Sequence, residues 1–142
     1  MQLFSLSGKT IVITGGGSGI GRSIAELFAR QGAIIFIIEL NSAGAEDTVR
    51  AIEEANGKAH AIACNVSNQK EVNDTFLAIQ KEAVKIDVLV NCAGIAHIGN
   101  LENTTEADFN KVFNVNVKGA YNCMKATIEN MKEHGGFIRL NN

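Results

Sequence analysis

A chain of 142 residues is long enough to bury one real core, and we expect a single domain over residues 1–142. Its net charge is −2, with Lys and Arg scattered rather than gathered in a stripe, which argues against nucleic-acid binding. The longest wholly apolar run, Ala33 to Ile38, is far too short to span a membrane.

Met1 to Lys9 carries neither a basic segment nor a sufficient apolar one, so no secretory signal is expected and the cytoplasm is the expected location. Cys64, Cys92 and Cys123 are odd in number and form no Cys-x-x-Cys pair, which suits a reducing compartment. His60, His97 and His134 lack metal-ligand spacing, so no metal site is expected.

In chain order, Thr10-Ile11-Val12-Ile13 predicts a first strand over 9–14. It feeds Thr14-Gly15-Gly16-Gly17-Ser18-Gly19-Ile20-Gly21, and a helical pattern follows over 19–31. Strand, glycine loop and helix in succession make an anion site. Glycines let the backbone turn tightly against a phosphate, and the helix N-terminus aims free N–H groups at it. The spacing is Gly-x-x-x-Gly-x-Gly, and no register satisfies the older Gly-x-Gly-x-x-Gly fingerprint.

The second strand, 33–39, is continuously apolar, as a strand buried on both faces must be. It ends in Glu39, about 20 residues past the loop, where a carboxylate accepts hydrogen bonds from adenosine ribose hydroxyls and repels a 2′-phosphate. A helix over 42–56 and a third strand over 58–64 lead to Asn65-Val66. The next helix, 68–84, carries Val72, Phe76, Ile79 and Ala83 at helical spacing. A fourth strand, 86–91, closes on Asn91-Cys92-Ala93-Gly94. Thr104-Thr105 before Glu106 and Asp108 starts a long helix over 104–133. Within it lies Asn114-Val115-Asn116-Val117-Lys118-Gly119; Asn is a poor helix-interior residue, so a local distortion is expected there. A fifth strand covers 135–140. Alternating strands and helices predict an α/β fold, a Rossmann-like doubly wound parallel sheet. Its order should be 3-2-1-4-5, with the nucleotide over the strand ends where the order reverses.

The run TGxxxGxG, the strand-end Glu39, Asn65-Val66, Asn91-Cys92-Ala93-Gly94 and Asn116-x-x-Gly119 occur in the order seen in the short-chain dehydrogenase/reductase family, which the chain closely resembles. The resemblance implies that Gly15, Gly17, Ser18, Gly19, Ile20 and Gly21 cradle a dinucleotide. NADP-using members often carry Lys or Arg at the places of Ser18 or Leu40, so the implied cofactor is NAD. Asn65 and Val66 stand where the family has Asp-Val, and the Asn65 carbonyl can meet the adenine amino group. Asn91 would tie the strand end, while Ala93, Gly94 and Val115 lie against the cofactor. Asn116 matches the family's catalytic asparagine, which holds a water through its backbone carbonyl at a helix distortion.

That resemblance also implies what is absent. The family moves a proton with a Tyr, a Lys that tunes it and a Ser that orients the substrate. After Gly135-Gly136 the sequence runs Phe137-Ile138-Arg139-Leu140-Asn141-Asn142, with Asn142 at the place of the first of two serines. Tyr121 and Lys125 fit Tyr-x-x-x-Lys, but they precede the fifth strand and are read as a helix flank. At about 100° per residue Tyr121 would point roughly 140° from Asn116. The chain is therefore expected to be a family domain truncated after the fifth strand, inactive alone. In the full-length family the substrate is a small molecule: an alcohol or ketone, as in 3-oxoacyl-carrier-protein reductases and sugar, polyol or steroid dehydrogenases. The alternative is a non-catalytic dinucleotide-binding or partner-binding fragment. The family's subunit interface further implies self-association through the helix 104–133, with Val112, Val115, Ala120, Cys123, Ala126, Thr127, Ile128 and Met131 left exposed.

Overall fold

The computed structural model describes residues 4–141; Met1 to Leu3, and Asn142 with its expected serine-like place, lie outside the described residues. Five strands form one parallel sheet in the order β3-β2-β1-β4-β5, as the sequence predicts. They are β1 (Thr10–Thr14), β2 (Ile34–Glu39), β3 (Lys58–Ala63), β4 (Val88–Asn91) and β5 (Phe137–Leu140). The helices are α1 (Gly19–Arg30), α2 (Ser42–Glu54), α3 (Gln69–Ala83), α4 (Glu106–Phe113) and α5 (Gly119–His134). Among the described residues, no helix is long and apolar enough to cross a membrane.

Strand periodicity sorts the core into two layers. Val12, Phe36, Ile38 and Leu89 pack with Val72, Phe76 and Ile79 of α3 and with Cys123 and Met131 of α5. Their neighbours Ile11, Ile13, Ile35, Ile37 and Val90 face the other way, onto Ala25 and Ala29 of α1 and Ala45 and Ile52 of α2. Each fully buried Phe or Ile side chain contributes about 1.5–3 kcal/mol relative to leaving it in water. Alanines on α1 let that helix lie close to the sheet.

Register then places the site. Thr14 is level with Ile38 on β2 and with Asn91 on β4. The glycine loop, Glu39 and the segment after Asn91 therefore leave the sheet side by side, at its C-terminal edge.

Among the boundaries that differ from the sequence reading, two have a clear local cause. The helix predicted over 68–84 stops at Ala83, because Val84 takes φ 62° and the Lys85 N–H donates to the Ala83 carbonyl at 2.6 Å, a tight three-residue turn. Asn130 of α5 spans that turn: its Nδ2 donates to the Val84 carbonyl at 2.7 Å, and its Oδ1 accepts from the Ile86 N–H at 2.9 Å. The fifth strand begins at Phe137 rather than 135, since Gly135 at φ 77° turns the chain out of α5.

The long helix predicted over 104–133 is broken in the middle. α4 starts on a capping box between Thr105 and Asp108. Asn114–Lys118 then form a π turn, in which the Gly119 N–H reaches back to the Asn114 carbonyl. The distortion expected at Asn116 is present. It also changes the phase of everything after it, and so corrects the expected exposed face. Cys123, Thr127 and Met131 are buried against the sheet with Gly119 and Asn122, while Val115 and Ala126 are half-buried against the core. The apolar side chains left outside are Phe109, Phe113, Val117 and Tyr121, with Ile128 as expected.

Asp87 fastens the opposite edge of the sheet. Its Oδ2 accepts from the Thr10 N–H at 2.9 Å, and its Oδ1 lies 3.0 Å from Lys85 Nζ and 3.5 Å from Lys9 Nζ. Burial pushes this carboxyl up, but the Thr10 hydrogen bond and the two ammonium groups together outweigh it and hold it below its ordinary value.

Candidate dinucleotide site

A cleft of about 270 Å³ opens at the C-terminal edge of the sheet, beside the point where the strand order reverses. Gly15, Ser18, Gly19, Ile20, Gly21, Glu39, Cys92, Gly94 and Asn141 line it. Seven of these are sequence-predicted site residues; Cys92 and Asn141 are not.

Two contacts build its floor. Thr14, 1% exposed, accepts on its hydroxyl from the Cys92 N–H at 3.2 Å and the Ala93 N–H at 3.0 Å, so the β1 end holds the β4 loop. Gly15 then passes directly over that loop at φ 68°, where a Cβ would lie 2.8 Å from Ala93 Cα. Both the backbone angle and the space demand glycine. Ala93 thus touches the loop without lining the cleft.

The phosphate end is electrostatically open. Ser18 caps α1 in an extended conformation, its side chain makes no capping hydrogen bond, and the first turn holds no acidic residue. The free N–H groups and positive dipole of that turn are therefore unopposed by any carboxylate within it. Gly19 stands there at φ 54°, with open space where a Cβ would be. This cradle fits a diphosphate.

Glu39 forms the other wall. Its Oε2 accepts from the Gly17 N–H at 3.2 Å and its Oε1 from the Asn41 N–H at 3.3 Å. The carboxylate is fixed rather than swinging, with no Lys or Arg paired to it among the described residues. Leu40 follows, 70% exposed and outside the lining.

Asn116 approaches from behind the cleft. Its Oδ1 accepts from the Ile95 N–H and its Nδ2 donates to the Ile95 carbonyl, both at 2.8 Å. Its Oδ1 also lies 3.4 Å from where a Gly94 Cβ would sit. The side chain thus shapes the loop after β4.

The remaining predicted residues do not line the cleft. Asn65 spends its Oδ1 on the Ser67 N–H at 3.1 Å and the Ser67 hydroxyl at 2.7 Å, closing its own turn. Val66 packs in the core, and its carbonyl accepts from the buried Asn122 at 2.9 Å. The Asn91 side chain does not tie the strand end as expected: 3% exposed, neither its Nδ2 nor its Oδ1 has a partner among the described residues. The tie runs through its backbone, whose carbonyl accepts from the Asn141 N–H at 3.1 Å. Tyr121 is exposed on α5 with Lys125 Nζ 3.4 Å from its hydroxyl, away from the cleft lining. Cys92 receives a contact from Asn141 Nδ2 at 3.7 Å, and burial pushes its thiol up.

Comparison with known proteins agrees with this architecture. The sequence profile described as short chain dehydrogenase matches residues 9–138. An uncharacterised oxidoreductase of Thermotoga maritima is 38% identical over 96% of this chain and 54% of its own length. A D-threitol dehydrogenase of Mycolicibacterium smegmatis is 34% identical over 94% of this chain and 51% of its own. A crystal structure from Sinorhizobium meliloti 1021, named for the short-chain alcohol dehydrogenases, superposes with a TM-score of 0.91 at 29% identity. That match covers 98% of this chain and 56% of the other. The chain thus spans about half the length of the curated relatives it matches. Sheet order, glycine loop and profile agree, and the chain belongs to the short-chain dehydrogenase family of oxidoreductases.

Proposed function

We propose that this chain is the NAD(H)-binding part of an oxidoreductase acting on an alcohol or ketone. The observation that carries the reading is the pairing of an acid-free α1 N-terminus with a fixed Glu39 carboxylate across one cleft. A pyrophosphate suits the first wall, and the unsubstituted ribose of NAD suits the second. A 2′-phosphate would meet a carboxylate with no cation beside it. The relative named D-threitol dehydrogenase supports an alcohol as substrate class. The free thiols of Cys64, Cys92 and Cys123 support a reducing, cytoplasmic setting.

Bound NAD supplies a hydride acceptor, and NADH a hydride donor. The chain's own residues bind and orient. Gly15 to Gly21 receive the diphosphate, Glu39 accepts from ribose hydroxyls, and Gly94, on the loop that Asn116 holds through Ile95, lines the far wall. In this reading Asn116 also presents its backbone carbonyl to a water in a proton path. Proton transfer at the substrate falls to none of the described side chains around the cleft, since Tyr121, the sole tyrosine, stands outside it. General acid–base catalysis is typically worth about 10²–10⁴-fold. The 142 residues alone should therefore hold cofactor without measurable turnover.

Fluorescence titration with NADH tests the reading. Saturable binding by the chain, abolished in Gly19→Val while the far-UV spectrum is unchanged, supports it. No binding by the folded chain would end it.

A further inference from the structure

The peptide unit between Gly16 and Gly17 is held at both of its polar ends. Its N–H, on Gly17, donates to Glu39 Oε2 at 3.2 Å. Its carbonyl, on Gly16, accepts from Thr48 Oγ1 at 2.9 Å. Thr48 lies on α2 and is fully buried. Its one hydroxyl proton is shared with the Gly44 carbonyl, a longer contact at 3.1 Å within the same helix.

Space around this peptide unit is closed as well. A Cβ on Gly16 would lie 2.8 Å from Ile37 Cγ2, and one on Gly17 would lie 3.0 Å from the Ala45 nitrogen and from Glu39 Oε2. A Cβ on Gly44 would lie 3.0 Å from the Gly17 carbonyl oxygen. The loop is thus seated between the end of β2 and the first turn of α2. Rotating the 16–17 peptide plane would break the Thr48 and Glu39 bonds together.

We propose that Thr48 is a positioning residue for cofactor selectivity, acting through the 16–17 peptide plane to hold the Glu39 carboxylate where it discriminates NADH from NADPH; this rests on the dinucleotide reading above. The hydroxyl fixes the Gly16 carbonyl, which fixes the direction of the Gly17 N–H, which fixes one carboxylate oxygen. Only a fixed carboxylate both receives ribose hydroxyls and obstructs a 2′-phosphate. A loose one does neither well, because it can swing away from an added phosphate.

The experiment is calorimetric titration of NADH and NADPH into the wild-type chain and into Thr48→Val, Thr48→Ser and Thr48→Cys. Thr48→Val keeps the shape and removes the hydroxyl, leaving the Gly16 carbonyl without its donor. One net hydrogen bond corresponds to about a 3- to 10-fold change, so NADH should bind Thr48→Val about that much more weakly. NADPH should change by less than about twofold, so the NADH-to-NADPH ratio falls. Thr48→Ser, which restores the hydroxyl, should recover the wild-type ratio. Should Thr48→Val fail to fold, Thr48→Cys, close in size with a weak donor, replaces it and should lower the ratio in the same direction.

Equal weakening of both cofactors, or an unchanged ratio in the folded variant, would overturn the proposal. A Thr48→Ser ratio as low as that of Thr48→Val would do the same. If the wild-type chain binds neither dinucleotide, it is the functional reading that falls, an outcome distinct from these.

Discussion

Asn116 and Ile95 form a two-way amide pair, the Asn116 side chain giving one hydrogen bond to the Ile95 backbone and taking one from it, each at 2.8 Å. The pair joins the π turn to the loop that follows β4, elements 21 residues apart in sequence. Family resemblance alone assigns Asn116 to chemistry; the geometry gives it a second task, which is to hold the cofactor-side loop in place.

Asn116→Ala should lower the unfolding free energy by about 1–3 kcal/mol, since the Ile95 N–H and carbonyl both lose their partner. Asn116→Asp should be worse than its small size change suggests. A carboxylate still accepts from the Ile95 N–H, but its second oxygen then faces the Ile95 carbonyl. Urea unfolding of the two variants checks this, and Asp as stable as Asn would contradict it.

The acid limb of stability should depend on Asp87. Its folded-state pKa is depressed, so its stabilisation is present above its unfolded value of 3.8 and is lost as pH falls through the folded one. Melting temperature followed from pH 6 downward should therefore drop below about pH 4. Asp87→Asn should flatten that drop. At neutral pH it should cost about 1 kcal/mol or less, because Lys85 and Lys9 are partly exposed and screened.

Self-association is the third expectation, with a changed surface. Phe109, Phe113, Val117 and Ile128 lie exposed along α4, the π turn and α5, and Phe137 is 78% exposed on the edge strand β5. Exposed apolar patches and open strand edges favour association. Light scattering at micromolar concentration should show species above monomer mass, and Phe109→Asp with Phe113→Asp should reduce them. Cys123 and Met131 variants should act through stability instead, because those side chains are buried.

The sheet order and the glycine loop were legible because apolar runs and glycine spacing carry them locally. Val12, Phe36 and Ile37 are apolar whichever layer they enter, so the strands were secure. The face of α5 was not legible: one π turn at Asn114–Lys118 adds a residue to the cycle and rotates every later side chain. Asn116 in mid-helix signalled the distortion but not its size. Thr48, Asn122 and Asn130 carry no signal in the sequence, because a polar residue on a helix is ordinarily solvated. Only tertiary structure brings them to the Gly16, Val66 and Val84 carbonyls. The Asn65 side-chain oxygen is taken by Ser67 two residues on, an Asx turn visible in Asn-x-Ser.

The most direct measurement is a paired titration of NADH and NADPH into the chain and into Glu39→Ala. Glu39 is half-buried at the cleft wall, held by the Gly17 and Asn41 N–H groups, with no cation to receive a 2′-phosphate. NADH should bind the wild-type chain more tightly than NADPH, by about tenfold or more, the equivalent of about 1.4 kcal/mol. In Glu39→Ala that gap should narrow, through weaker NADH binding and stronger NADPH binding. Equal affinities for the two dinucleotides in the wild-type chain would contradict it.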